Sequence, residues 1–260
     1  MGLANIHVIT EDRASGAQVI GGSLKFVSGN SNYLSRTPGS AGNQKTWTFS
    51  VWIKRLKSGA NPGIFMPVTG GDGVNESQMR FDSSDRLQVY DSGGDAGYVN
   101  VVTTRVFRDF SSWYHLVFTY DSTQPTSSNR FGIYVNGVQE TSFSTATYPN
   151  QNNNSGWNNT SRHDIGRVAY SSNNYIDTYL SNAHFIDGQS LTPSYFGFTD
   201  PLTNTWRPKK YTGTYGTNGF YLPMDGNSPI GEDKSGRGNN WTPVNFGGSN
   251  TLEKATGALP

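Results

Sequence analysis

The stretch that decides the fold is Trp113–Gln139, WYHLVFTYDSTQPTSSNRFGIYVNGVQ. It reads as two strands joined by a polar loop and closed by a tight turn. Residues 113–120 are apolar on both alternating faces, the pattern of a central strand covered on each side. A second strand follows at 130–135. Asn136-Gly137 then supplies the two positive-φ residues that a two-residue hairpin turn needs.

Working outward, period-two alternation recurs. In 47–55, Trp47, Phe49, Val51 and Ile53 fall on one face and Thr48, Ser50, Trp52 and Lys54 on the other. Trp47, Trp52 and Trp113 are expected in or near the core. Further strands are predicted at 23–26, 32–35, 64–68, 78–82, 87–90, 98–103, 164–168, 175–186 and 220–224. The gaps carry turn chemistry, as in Gly70-Gly71-Asp72-Gly73, Ser83-Ser84-Asp85, Ser92-Gly93-Gly94-Asp95 and Asp187-Gly188. One helical turn is predicted at 192–196, with Thr192 as N-cap, Pro193 as first helical residue and Gly197 as stop. The expected fold class is all-β, a two-sheet antiparallel jelly-roll sandwich.

Composition agrees. The 260 residues include six Trp, 14 Tyr, 14 Phe and 31 Gly but only 15% charged residues, the profile of a turn-rich β protein with enough length for one substantial core. The expected organisation is an attachment or subunit-contact segment at 1–22, a sandwich at 23–225, and a C-terminal wrap or tail of the same domain at 226–260. The last segment has too few apolar residues for a core of its own.

Several function classes are disfavoured. Net charge is +1 and no basic run reaches five residues, so no nucleic-acid partner is expected. There is no cysteine, which excludes disulfides and thiolate metal sites. No apolar run approaches the ~18 residues of a membrane helix, and the N-terminus lacks the pattern of a secretory signal. No membrane insertion is expected.

Catalysis is not expected either. Glycosidases of β-sandwich type set two carboxylates close together on a strand. The five glutamates, Glu11, Glu76, Glu140, Glu232 and Glu253, form no such spacing. Asp82 and Asp85 flank a Ser-Ser turn and read as turn formers. His7, His115, His163 and His184 are scattered, and His115 and His184 fall in predicted strands, where packing explains them. Asp72, Asp91, Asp95, Asp121 and Asp225 sit in predicted loops without the spacing of an acidic ion loop. They read as turn-forming, and calcium is the one cofactor they leave open.

Carbohydrate binding needs aromatic platforms beside amides. Trp157 in the polar loop 150–160, Tyr170, Tyr175 and the Asn173-Asn174 pair fit that chemistry. The competing reading folds Trp157, Tyr170 and Tyr175 back against the edge of the sandwich.

The pattern of a Trp opening a strand, Tyr-Asp closing it and Tyr-Val-Asn-Gly after it resembles the concanavalin A-like, laminin-G-like lectin/glucanase fold. Five longer segments narrow this: 12–26, 33–43, 183–193, 211–222 and 235–242. Together they resemble lectin/glucanase-like structural proteins of tailed, especially marine, bacteriophages. That resemblance implies a virion component, a capsid decoration protein, head fibre or tail appendage, assembled in the host cytoplasm. It implies other virion proteins of capsid or tail as partners, a homo-oligomer with a trimer favoured, and a host surface glycan as possible ligand. The runners-up are a glycan-cleaving virion enzyme and a tail-fibre receptor-binding protein. Because the chain starts almost at once with the module, a stand-alone surface subunit is expected over the trunk of a long fibre.

The first twenty residues combine an apolar strand (Ile6, Val8, Ile9) with a charged patch (Glu11, Asp12, Arg13), suited to adding a strand to a neighbour's sheet edge. Deleting residues 2–20 is expected to leave a folded protein that no longer assembles, as read by thermal melting and by incorporation into particles. Loss of the thermal transition would instead make the segment part of the core.

Overall fold

The computed structural model describes residues 11–12, 16–59, 61–68, 76–93, 97–169, 174–227 and 229–246. The strands, in chain order, are β1 (Glu11–Asp12), β2 (Ala17–Gln18), β3 (Leu24–Phe26), β4 (Tyr33–Arg36), β5 (Thr46–Arg55), β6 (Gly63–Val68) and β7 (Ser77–Phe81). They continue with β8 (Arg86–Asp91), β9 (Val99–Val106), β10 (Tyr114–Asp121), β11 (Phe131–Val135), β12 (Val138–Gln139), β13 (Phe143–Thr147) and β14 (Arg162–Ile165). The last are β15 (Arg167–Val168), β16 (Asn174–Tyr175), β17 (Thr178–Asp187), β18 (Gly197–Thr199), β19 (Trp206–Pro208), β20 (Phe220–Leu222) and β21 (Thr242–Val244). Helix is confined to single 3-10 turns among the described residues.

Two antiparallel sheets carry the fold. The smaller runs β12-β11-β10-β5-β17-β20, with β3 also paired to β17; the larger runs β13-β9-β8-β7-β6-β14-β4-β21. This is the expected all-β sandwich. The stretch 113–139 forms the heart of the smaller sheet. Leu116–Tyr120 pairs with Phe131–Val135 on one side, and Tyr114–Asp121 with Thr46–Ile53 on the other. Asn136 (φ 48°) and Gly137 (φ 82°) close the β11–β12 hairpin as expected. A Cβ on Gly137 would lie 2.3 Å from Trp206 Cζ3, so close packing as well as backbone freedom demands glycine there.

The core between the sheets is aromatic. Trp47, Phe49, Val51 and Ile53 from β5 meet Phe65, Phe81, Leu116, Phe118, Phe185, Phe220 and Trp241 in one cluster. Trp47 stacks on Tyr120 at 5.2 Å, with the planes 6° apart. Burial of this kind contributes about 1.5–3 kcal/mol for each large apolar side chain.

The smaller sheet is covered on its other face too. Val117 and Ile186 pack under Leu191, Phe196, Tyr211 and Tyr215 in a second cluster. The hairpin β18–β19 lays Trp206 over His115, which is sandwiched against Trp52 on its other side. This explains why Trp113–Tyr120 lacks a polar face. Trp52 is buried by this cover, while Trp113 is only half-buried because β10 begins at Tyr114.

Some boundaries differ from expectation. The predicted strand 164–168 breaks at Gly166 (φ 99°), where a Cβ would strike the Phe26 ring. Its second half turns into a short hairpin, with Arg167–Val168 paired to Asn174–Tyr175, and the long strand starts only at Thr178. The polar strand β13 and the hairpin β18–β19 carry no apolar alternation strong enough to show in the sequence. The predicted turn at 192–197 is a 3-10 turn at Pro193–Tyr195. The Thr192 hydroxyl pairs with Ser194 Oγ and does not cap it, and Gly197 opens β18.

The N-terminal strand expected at residues 6–9 lies outside the described residues. From Ala17 on, the chain is docked on its own domain. Ala17 and Ile20 are buried, Gln18 Nε2 donates to Tyr221 Oη at 3.3 Å, and Ser181 Oγ donates to the Gly22 carbonyl at 3.0 Å. At the other end Trp241 enters the core and β21 adds to β4.

One polar centre ties the ends of several loops together. Asp187, at the end of β17, accepts Asn43 N and Asn158 Nδ2 on Oδ1, at 2.8 and 2.7 Å, and Asn218 N on Oδ2 at 3.0 Å. Asn218 Nδ2 in turn donates to Asn158 Oδ1 and to the Ser40 carbonyl. Asn158 sits at φ 65°, which places Trp157 in the core and sends the polar chain back out. Asp187→Ala would leave three donors without partners, each costing about 1–3 kcal/mol. The expected result is a loss of at least about 3 kcal/mol in urea unfolding, with Asp187→Asn intermediate.

Candidate functional site

The structure separates the residues selected from sequence. Trp157 is 1% exposed and packs tilted against Trp47 at 5.5 Å, so its ring is core and offers no face to a sugar. The surrounding asparagines hid this, and the nearest of them, Asn158, belongs to the clamp around Asp187. Tyr170 and Asn173 lie outside the described residues, as do Ile6, Val8, Ile9 and Arg13 of the expected assembly contact. Asp12 pairs through its backbone with Ala17, in the β1–β2 hairpin of the same chain. Tyr175 is half-buried and lines a real cavity.

That cavity has a volume of about 200 Å³ and lies between the ends of β5 and β6 and the β15–β16 hairpin. Its walls include Ser28, Arg55, Lys57, Asn174, Tyr175 and Asp177. Each wall is fixed by the fold. Tyr175 stands 6.2 Å from Tyr33, and the Arg167 guanidinium lies 3.7 Å over the Tyr33 ring. Arg167 is itself held by Asp164, with Nε to Oδ2 at 2.8 Å. Asp177 accepts both Ser28 N (2.8 Å) and Ser28 Oγ (2.6 Å), pinning the opposite wall. Arg55 is buried and donates to the carbonyls of Lys57 and Phe107 and to Asp85 Oδ1. The floor is therefore rigid, and the exposed Lys57 stands at its mouth.

Asp82 and Asp85 are turn formers, as expected. Asp82 accepts Ser84 N and Arg86 N, and Asp85 takes φ 65° in the β7–β8 turn. Asp85 also does what the sequence did not signal, neutralising the buried Arg55. Burial pushes its carboxyl up, but hydrogen bonds from Gly59 N, Arg108 and Arg55 outweigh that and bring it down to about 2.

The three histidines among the described residues are packed. His115 accepts Trp206 Nε1 on Nδ1 at 2.9 Å, which leaves the proton on Nε2, 2.8 Å from Ser50 Oγ. His184 meets Tyr215 Oη and stacks on Tyr221 at 4.4 Å. Burial holds His115 and His184 down at about 3 and His163 at about 4. The fully buried Asp91 goes the other way. Burial raises it to about 7 against hydrogen bonds from Ser77, Gly156 and Gly93. All four of these groups are buried. Among the described residues no three His, Asp or Glu side chains gather to hold a metal ion.

Residues 28–194 match the Laminin_G_3 family model, described as the concanavalin A-like lectin/glucanases superfamily. Compared with curated proteins, the sequence has no significant match. Among solved structures, the chain is similar to mouse laminin alpha1 domains LG4-5 at 13% identity and TM-score 0.45, covering 76% of this chain and 47% of that one. It is similar to a heptameric SAP-like pentraxin from Limulus polyphemus at 16% identity and TM-score 0.41, covering 62% and 71%. Tailspike protein 2 of Escherichia coli O157:H7 bacteriophage CAB120 aligns at 13% identity and TM-score 0.44, and the match spans 72% of this chain but only 25% of the tailspike.

The buried titrating groups set the acid response. Between about pH 6.5 and 4 the unfolded chain protonates three histidines that the folded chain keeps neutral, while unfolding also releases the proton on Asp91. The net is two protons taken up on unfolding, so stability falls with falling pH by roughly 3 kcal/mol per pH unit. Asp85 extends the loss below about pH 4, because its folded value is the lower one. Urea midpoints measured from pH 7 to 4 are expected to fall throughout, and a flat profile would contradict the burial of these imidazoles.

Proposed function

The chain belongs to the concanavalin A-like lectin/glucanase superfamily, and on that premise we propose that it is a non-enzymatic glycan-binding subunit on the surface of a bacteriophage virion. The observation that carries the binding reading is the Tyr175 cavity. It sets an aromatic ring beside the Asn174 amide, the Asp177 carboxylate and the Lys57 ammonium. Sugars demand this mixture, an apolar face for the ring carbons and fixed polar groups for the hydroxyls. At about 200 Å³ the cavity falls below the roughly 300–1,000 Å³ of drug-sized pockets, so it suits one sugar unit of a chain.

The virion assignment rests on the resemblance of segments 12–26, 33–43, 183–193, 211–222 and 235–242 to phage structural proteins. A capsid decoration or head-fibre role, or a tail appendage, fits a compact sandwich equally. A homotrimer and capsid or tail partners belong to the same reading. The non-enzymatic part is supported by the burial of Asp91, His115, His163 and His184, which removes them from acid-base work.

Purified protein is expected to bind polysaccharide from the host envelope in a surface-based binding assay. Tyr175→Ala should weaken that binding about tenfold, near 1.4 kcal/mol, without moving the thermal midpoint. Release of reducing sugar from the same polysaccharide would replace the reading by a hydrolase. Absence of the protein from purified particles, read by mass spectrometry, would remove the virion role.

A further inference from the structure

The outer face of the larger sheet is not uniformly covered. The β15–β16 hairpin lies over β6 and β14, where Arg167 meets Asp164 and Ala169 N meets Met66 Sδ. The adjoining strands β7, β8 and β9 carry a row of polar side chains instead. Register places Gln78 beside Tyr90 and Tyr90 beside Asn100, and likewise Arg80 beside Gln88. The groups are linked. Arg80 Nε donates to Gln88 Oε1 at 2.9 Å, Gln88 Nε2 to Asn100 Oδ1 at 2.9 Å, and Asn100 Nδ2 to Tyr98 Oη at 3.3 Å. Tyr98 packs edge-on to Tyr90 at 5.3 Å and is 55% exposed. With strands about 4.8 Å apart, the row spans roughly 10 Å, the length of a disaccharide.

Two features point to a ligand. The first is Arg80. It is half-buried, its Nε is used and the charges of Glu76 and Asp82 act on it from nearby, but its two Nη groups make no hydrogen bond or ion pair among the described residues. A guanidinium in that position, its plane set by Gln88, presents the two-pronged donor that a carboxylate accepts bidentately. The second is the exposed ring of Tyr98, an apolar platform at the other end of the same hydrogen-bonded row.

We infer that this row is a second saccharide site, specific for acidic sugars, with a uronic-acid carboxylate on the Nη groups of Arg80 and a neighbouring pyranose face on Tyr98. The inference shares the glycan-binding reading but uses a different surface from the Tyr175 cavity, so each can fail alone.

Calorimetric titration of the full chain with oligogalacturonate, with dextran oligomers of equal length, and with inorganic sulfate tests it. Oligogalacturonate is expected to bind, more weakly as salt rises. Arg80→Met, Arg80→Lys and Tyr98→Ala should each weaken it by about tenfold or more, because lysine keeps the charge but not the fork. In Tyr175→Ala the salt-dependent component that the Arg80 variants remove should persist, whatever that variant does to the separate cavity. All four variants should keep the wild-type thermal midpoint, and Tyr98→Ala, which alters an exposed ring, serves if an arginine variant does not fold. Equal binding of dextran, oligogalacturonate binding indifferent to Arg80 and Tyr98, or no oligogalacturonate binding would overturn the inference. Sulfate binding as tightly as the uronide, with Tyr98→Ala without effect, would reduce it to a bare anion site and overturn the saccharide assignment.

Discussion

The fold depends on a single buried carboxylate at the end of β17, one of its two longest strands. Asp187 gathers a backbone amide from the 38–45 loop, another from the 215–219 loop and the side chain of Asn158. Those segments come from distant parts of the chain, and each would otherwise bury unsatisfied donors. With Asp187 in place they are tied at one point, and the Asn-rich loop can deliver Trp157 into the aromatic core without stranding its backbone. Polar and apolar order are thus one device, because the clamp works only if Trp157 is buried, and Trp157 is buried only if the clamp holds.

The second organising fact is that the smaller sheet has no free face. Its inner side meets the core and its outer side is roofed by residues 189–215 with Trp206 against His115. The imidazoles of His115 and His184 are consumed by this roof, which is why they stay neutral. Chemistry open to solvent is pushed to the larger sheet and to the loops at its ends. There the side chains are those that recognise hydroxyls and carboxylates: amides, tyrosines and arginines.

Buried charge follows the same logic. Arg55 lies in the core beside Phe81, with Asp85 as its counter-ion and the Lys57 and Phe107 carbonyls accepting from it as well. Removing one partner from such a pair costs far more than the pair contributes, so it holds the β7–β8 turn in place against the end of β5. That in turn sets the wall of the Tyr175 cavity. The cavity's shape is a by-product of a structural ion pair, and its polar lining is what that ion pair leaves at the surface.

The sequence by itself determined what is local. Alternation located β5, an apolar run located β10, and Asn136-Gly137 announced the hairpin after β11, because side-chain period and positive φ depend on a few neighbouring residues. Asp82 and Asp85 were legible as turn formers for the same reason. What only the tertiary structure decided was the fate of residues whose partners are far away. Trp157 looked like a surface platform because its neighbours are asparagines, yet Asp187 and Asn218, distant in the chain, satisfy the adjacent Asn158 and let the ring go inward. Arg80, Gln88, Asn100 and Tyr98 were unremarkable in sequence, since only strand pairing across β7, β8 and β9 brings them into one row. Burial, and with it the free donors that a ligand could use, is a property of the whole packed chain, and no window of sequence contains it.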